Sequence, residues 1–206
     1  MASARAAAVI LVEGAQVATS NSSNPNQSRY SPRVKRNGWQ RFLRVLRHRW
    51  MDDADRSRSV PPELLAKLAR YVAASEARHT GEVRICVETA LPNSYIWRNA
   101  APRERAVTLF GKLRVWDTAH NNGVLIYLLL AERSIEIVAD RAFNDKVNAA
   151  QWQSITASMS SAFKSGQFEA GLTQALEEVS ALLVAHFPLA DGAKRPNELP
   201  NAPFLN

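Results

Sequence analysis

Polar side chains, all but one of them bearing oxygen, gather at the ends of two apolar runs in the middle of this chain. Asp117, Thr118, His120, Asn121 and Asn122 precede the run 124–130, VLIYLLL. Asp140 ends the run 134–140, SIEIVAD, with Asn144 and Asp145 close behind, and Glu82 opens an earlier alternating run, EVRICVE. Carboxylates and amides are hard oxygen donors, and three or more of them in one shell suit Ca2+ or Mg2+. Glu82, Asp117, Asn122 and Asp140 are therefore the candidate metal ligands. Ordinary turn chemistry competes with that reading: Asp and Asn before a strand satisfy backbone amides, and Asp145 is placed to cap a following helix.

Other chemistries lack their residues. The eight glycines are scattered and build no phosphate-cradling loop, and no serine stands between glycines as a hydrolase elbow requires. No pair of histidines has zinc spacing, and the single cysteine, Cys86, has no second thiol to join it in a disulfide or a metal site. Cys86 lies in an alternating run and reads as a packed thiol rather than a nucleophile. Arg78-His79-Thr80-Gly81 faintly resembles a phosphohistidine motif, but it falls at the end of a helix instead of after a strand.

The elements that must position these groups follow from periodicity. The run 124–130 is too short to span a membrane and suits a strand buried on both faces. Residues 131–133 turn the chain into the antiparallel strand 134–140. Residues 82–88 alternate and predict a strand with one wet face, and the helix 101–114 crosses over to lay it parallel to 124–130. Helices are expected from the two prolines at 61–62 to about 79, over 148–164, and over 168–187, the last two separated by Gly166. Residues 92–99 read as a loop. The result is an α/β fold, a small mixed sheet with helices on both faces, in which Glu82, Asn122 and Asp140 return to one rim.

The net charge of +7 is local. Residues 60–206 hold fifteen Lys or Arg and fifteen Asp or Glu, whereas residues 29–59 hold ten basic residues and three acidic ones. The excess belongs to an arm. Within it, WQRFLRVLRHRW places Trp39, Phe42, Leu43, Leu46 and Trp50 on one helical stripe and arginines around the rest. The preferred expectation is that this stripe packs on the following domain; the alternative is a helix lying in a membrane interface. Nucleic acid is disfavoured as a partner, because the aromatics share a face with leucines and are not spaced as stacking platforms.

Domain limits follow: 1–38 a disordered extension, 39–59 the basic helix and linker, 60–187 the α/β domain, and 188–206 a proline-rich tail. No segment is long and apolar enough to span a membrane. The apolar start, cut short by Glu13, favours a cytoplasmic or peripheral-membrane protein over a secreted one.

Several of these segments together resemble the TPM domain family. They are Gly81-Glu82-Val83-Arg84-Ile85, the segment LRVWDT, the strand NNGVLIYLLL, the strand SIEIV, and Phe163 to Gly171. The resemblance covers residues 60–187. Members include a photosystem-II-repair protein of the thylakoid lumen, many bacterial proteins and an animal receptor-associated protein. It implies an α/β/α sandwich, divalent-cation binding and a disputed phosphatase activity. Position by position it ranks Asn122 and Asp140 first as borders of the metal site, then Glu82 and Asp117. Where relatives carry a glycine-rich turn after the third strand, this chain has Ala139-Asp140-Arg141-Ala142. The expected function is an accessory or interaction domain that binds Ca2+ or Mg2+ and meets a membrane surface or protein partner through its basic helix. The alternative is a metal-dependent phosphatase.

Overall fold

The computed structural model describes residues 10–11, 38–50, 57–190, 192–193 and 195–206. The elements, in chain order, are β1 (Ile10–Leu11), α1 (Gly38–Trp50), α2 (Pro62–Glu76), β2 (Val83–Glu88), α3 (Asn93–Trp97) and α4 (Pro102–Lys112). Then come β3 (Val124–Leu129), β4 (Ser134–Ala139), a 3-10 turn (Arg141–Phe143), α5 (Ala149–Lys164), α6 (Phe168–His186) and β5 (Phe204–Leu205). The sheet order is β1-β4-β3-β2-β5.

The centre is as its composition dictates. All six residues of β3 are buried, because Val, Leu, Ile and Tyr side chains leave both sheet faces to helices. β2 pairs with β3 in parallel, Val83 opposite Val124, and β3 pairs with β4 antiparallel, Val124 opposite Ala139. Arg133 closes the hairpin in the left-handed region (φ 47°).

Two cores result. Val83, Ile85, Val124, Ile126, Ile135 and Ile137 face α2, α5 and α6 on one side. Cys86, Leu125, Tyr127 and Val138 face α3, α4 and Leu199 on the other. The helices obey local signals: Pro62 starts α2, Asn148 and Gln151 form a capping box on α5, and Gly166 (φ 81°) ends it. The cap is Asn148, not Asp145.

Several expectations change. β2 has no wet face; all six residues are buried. The reason is the tail. Residues beyond 194 run along the β2 edge, where Cys86 and Val87 pair with Phe204 and Leu205. Arg84 donates to the carbonyls of Pro200 and Ala202, at 2.6 Å to the latter. The stretch read as a loop at 92–99 contains α3. Within the extension expected to be disordered, Ile10–Leu11 pairs with the β4 edge, and the rest of residues 1–37 lies outside the described residues.

Candidate functional site

The backbone delivers the expected rim. Val124 N–H donates to the Glu82 carbonyl at 2.8 Å, and Asp140 N–H donates to the Gly123 carbonyl at 3.0 Å. Glu82, Gly123 and Asp140 thus share one rung, with Asn122 one residue beyond. The side chains then part. Alternation along the strands puts Glu82 and Asp140 on the α4 side of the sheet and Asn122 on the other. Between Glu82 and Asp140 stands Gly123, where a Cβ would meet the Val115 carbonyl oxygen at 2.0 Å. The loop after α4 lies in the gap that separates the two carboxylates.

Each candidate has its own partners. Glu82 is fully buried and accepts from Arg195 Nη1, from Glu198 N–H at 3.1 Å and from Leu199 N–H at 3.3 Å. Arg195 also lies 3.6 Å from Glu76 Oε2. Burial first, and the charge of Glu82 as well, raise the Glu76 carboxyl pKa, against a lowering hydrogen bond from Val83 N–H. Asp117 is half-exposed and pairs with Arg114. Asn122 Nδ2 donates to Thr80 Oγ1 at 3.1 Å. Asp140 Oδ1 accepts from Arg141 N–H at 2.7 Å, and burial raises its pKa.

The four residues therefore do not make one coordination shell, and no cluster of three His, Cys, Asp or Glu occurs among the described residues. What the rim retains is three buried oxygens without a protein donor: Asp140 Oδ2, Asn122 Oδ1 and Asn144 Oδ1. Only one of them carries charge. Cys86 is fully buried and its thiol is pushed up to about 12, chiefly by desolvation, so it offers no nucleophile. A groove of about 750 Å³ lies elsewhere, between the start of α2 and the α5–α6 turn, and the Lys67–Glu169 ion pair belongs to its lining.

A second constellation joins residues far apart in the sequence. Helix α1 docks through its polar face. Arg44 donates to Glu132 Oε1 at 2.6 Å, to Asn99 Oδ1 at 3.2 Å and to the Ala100 carbonyl at 2.7 Å. His48 Nδ1 accepts from Leu91 N–H at 3.1 Å, which leaves the proton on Nε2 facing Glu132 Oε1, also at 3.1 Å. Arg41 adds a bond to the Trp97 carbonyl at 3.0 Å. Arg44 and His48 are the buried residues of this helix.

The expected packing of the apolar stripe is thereby reversed. Trp39 is 68% exposed, Phe42 53%, Leu43 44% and Trp50 76%. The signal was present as Arg41, Arg44 and His48 at i, i+3 and i+7, a second stripe opposite the first. Its acceptor, Glu132, sits in a hairpin turn 84 residues from His48, where no spacing rule connects them.

The chain belongs to the TPM domain family, whose model matches residues 55–182. Among solved structures it is similar to the BA42 protein of the psychrophilic bacterium Bizionia argentinensis, determined by NMR. The two are 26% identical, the match covers 70% of this chain and 93% of BA42, and the TM-score is 0.61. No curated protein sequence matches this chain. The α/β sandwich expected from the residues and from the resemblance is the fold observed. No helix among the described residues is long and apolar enough to cross a membrane.

Proposed function

We propose that this chain is an accessory TPM domain that acts by docking to another surface, not by hydrolysis. One observation carries the reading. A helix with Trp39, Phe42, Leu43 and Trp50 exposed along one side is fixed to the domain by buried polar bonds on its opposite face, so these side chains are held toward solvent. Large exposed apolar patches on a folded domain mark interaction sites.

The phosphatase reading has less support. It needs Asp140, Asp117 and Glu82 around one metal to activate a water. Here Glu82 is occupied by Arg195, and Asp117 by Arg114. A divalent cation at the rim would have Asp140 as its one charged ligand. Affinity falls as the number of charged ligands falls, so such a site is weak, in the range of about 10⁻⁴ to 10⁻³ M.

The test is aryl-phosphate hydrolysis with Ca2+ or Mg2+, wild type against Asp140→Asn. Docking without hydrolysis predicts no metal-dependent turnover in either. Metal-dependent turnover that Asp140→Asn abolishes would restore the enzyme and remove this proposal.

A further inference from the structure

We infer that the surface met by α1 is an anionic phospholipid bilayer, on which the helix lies flat with its axis in the interface. The inference rests on the docking reading and names its partner. At 100° per residue, Arg41, Arg44 and His48 cluster on one side of α1. Trp39, Phe42, Leu46 and Trp50 centre on the opposite side. Arg47 and Arg49 flank that apolar stripe on its two sides, and both are exposed. Trp39 and Phe42 stack at 5.8 Å between ring centroids. Trp97, 80% exposed, stands beside the helix through its Arg41 contact.

This arrangement has the features an interfacial helix needs. Trp and Phe enter at headgroup level, and arginines on the flanks reach lipid phosphates while the stripe is buried. Charge decides the lipid. Residues 29–59 carry seven net positive charges and residues 60–206 balance to zero, so along the chain the net excess belongs to this helix and the segments that flank it in sequence. Basic residues next to a membrane surface draw it to anionic lipid by about fivefold each. A second copy of the chain would instead bring two +7 arms together, which mutual repulsion opposes. The clamp to Glu132 adds preorganisation. The helix is already held in place before contact, so the surface does not have to induce it.

The experiment is co-sedimentation of the full chain with phosphatidylglycerol–phosphatidylcholine vesicles and with pure phosphatidylcholine vesicles. Three proteins are compared: wild type, Trp39→Ser/Phe42→Ser/Trp50→Ser, and Arg47→Gln/Arg49→Gln. Wild type should bind the anionic vesicles at least tenfold better than the zwitterionic ones, with a blue-shifted tryptophan emission and weakening in high salt. The apolar variant should lose binding at an unchanged melting temperature, and the arginine variant should lose about twenty-five-fold of the anionic affinity. No binding to anionic vesicles, or equal binding by the apolar variant, overturns the lipid assignment. If wild type ignores vesicles yet dimerises in sedimentation velocity, and the apolar variant does not, docking stands with a copy of itself as partner. If the apolar variant melts much lower, the stripe is packed inward and the docking reading fails as well.

Discussion

Replacing Glu132 with alanine isolates the device that orients α1. Glu132 Oε1 is shared by Arg44 at 2.6 Å and His48 at 3.1 Å, and the side chains are 6%, 1% and 12% exposed for Arg44, His48 and Glu132. Removing one partner of such a buried pair costs about 3–5 kcal/mol when the other charge must stay buried. Here it need not stay. The guanidinium regains water if α1 lifts off, and that limits the loss to the docking energy of the helix. An isolated helix of 13 residues is marginal in water, so release should also unwind it. Expected are fast hydrogen exchange of the amides over 38–50 and a loss of helical circular dichroism. Protection of β2, β3 and β4 should persist, because their packing does not involve α1. The vesicle affinity should fall too, since the stripe is no longer preorganised. Unchanged protection of α1 in Glu132→Ala would refute the clamp.

Further outcomes follow from other buried groups. His79 is fully buried, with Nδ1 3.1 Å from the Gly81 carbonyl and Nε2 2.8 Å from Ser75 Oγ, and desolvation lowers its pKa to about 4 from 6.5. The unfolded chain then binds the proton first as pH drops. The His79 contribution is complete above about pH 6.5 and is lost by pH 4, an effect of about 3 kcal/mol. Glu136, raised to about 7 mainly by burial, works the other way and favours the fold as pH falls from 7 toward 4.5. The gap between wild type and His79→Gln, read from urea melts, should therefore narrow from pH 6.5 to 4; a constant gap would count against the assignment. Arg195→Gln leaves Glu82 buried without its cation, and about 3 kcal/mol of stability should go, largely recovered in the double variant with Glu82→Gln. Additive losses in that cycle would show the pair is not coupled. Gly123→Ala drives a methyl onto the Val115 carbonyl and should cost roughly 1–3 kcal/mol in chemical denaturation. A neutral result there would mean the loop after α4 can yield. Titration with Ca2+ should raise the melting temperature little, since a ligand at its Kd adds only about 0.4 kcal/mol, and Asp140→Asn should abolish even that. A large shift that survives in Asp140→Asn would place the cation elsewhere.

The sheet was legible because its information is local. Val124 to Leu129 is apolar without a break, and Ile135, Ile137 and Ala139 alternate, so two strands and their hairpin follow from period alone. The shared rim of Glu82 and Asp140 followed from strand direction. Side-chain destination did not. Whether Glu82 meets a metal or Arg195 depends on a segment 113 residues later, and nothing about a proline-rich tail announces an edge strand. The wet face assigned to β2 failed for the same reason, since Arg84 and Glu88 are covered from a distance by residues 200–206. Helix α1 carried two opposite stripes, and hydrophobic burial is the stronger default. The buried pair with Glu132 reversed it, and its energy comes from a contact that sequence spacing cannot encode.

A nitroxide scan of α1 reads its orientation directly. Single cysteines at positions 39, 42, 43, 44 and 48 can be labelled in the full chain, because Cys86 is buried with a thiol at about 12 and stays unmodified. Labels at 39, 42 and 43 should be mobile and open to a water-soluble relaxant, while a label at 48 should be immobilised and one at 44 should release the helix. Immobile labels at 39 and 42, with a free one at 48, would contradict the outward-facing aromatic stripe and the function built on it.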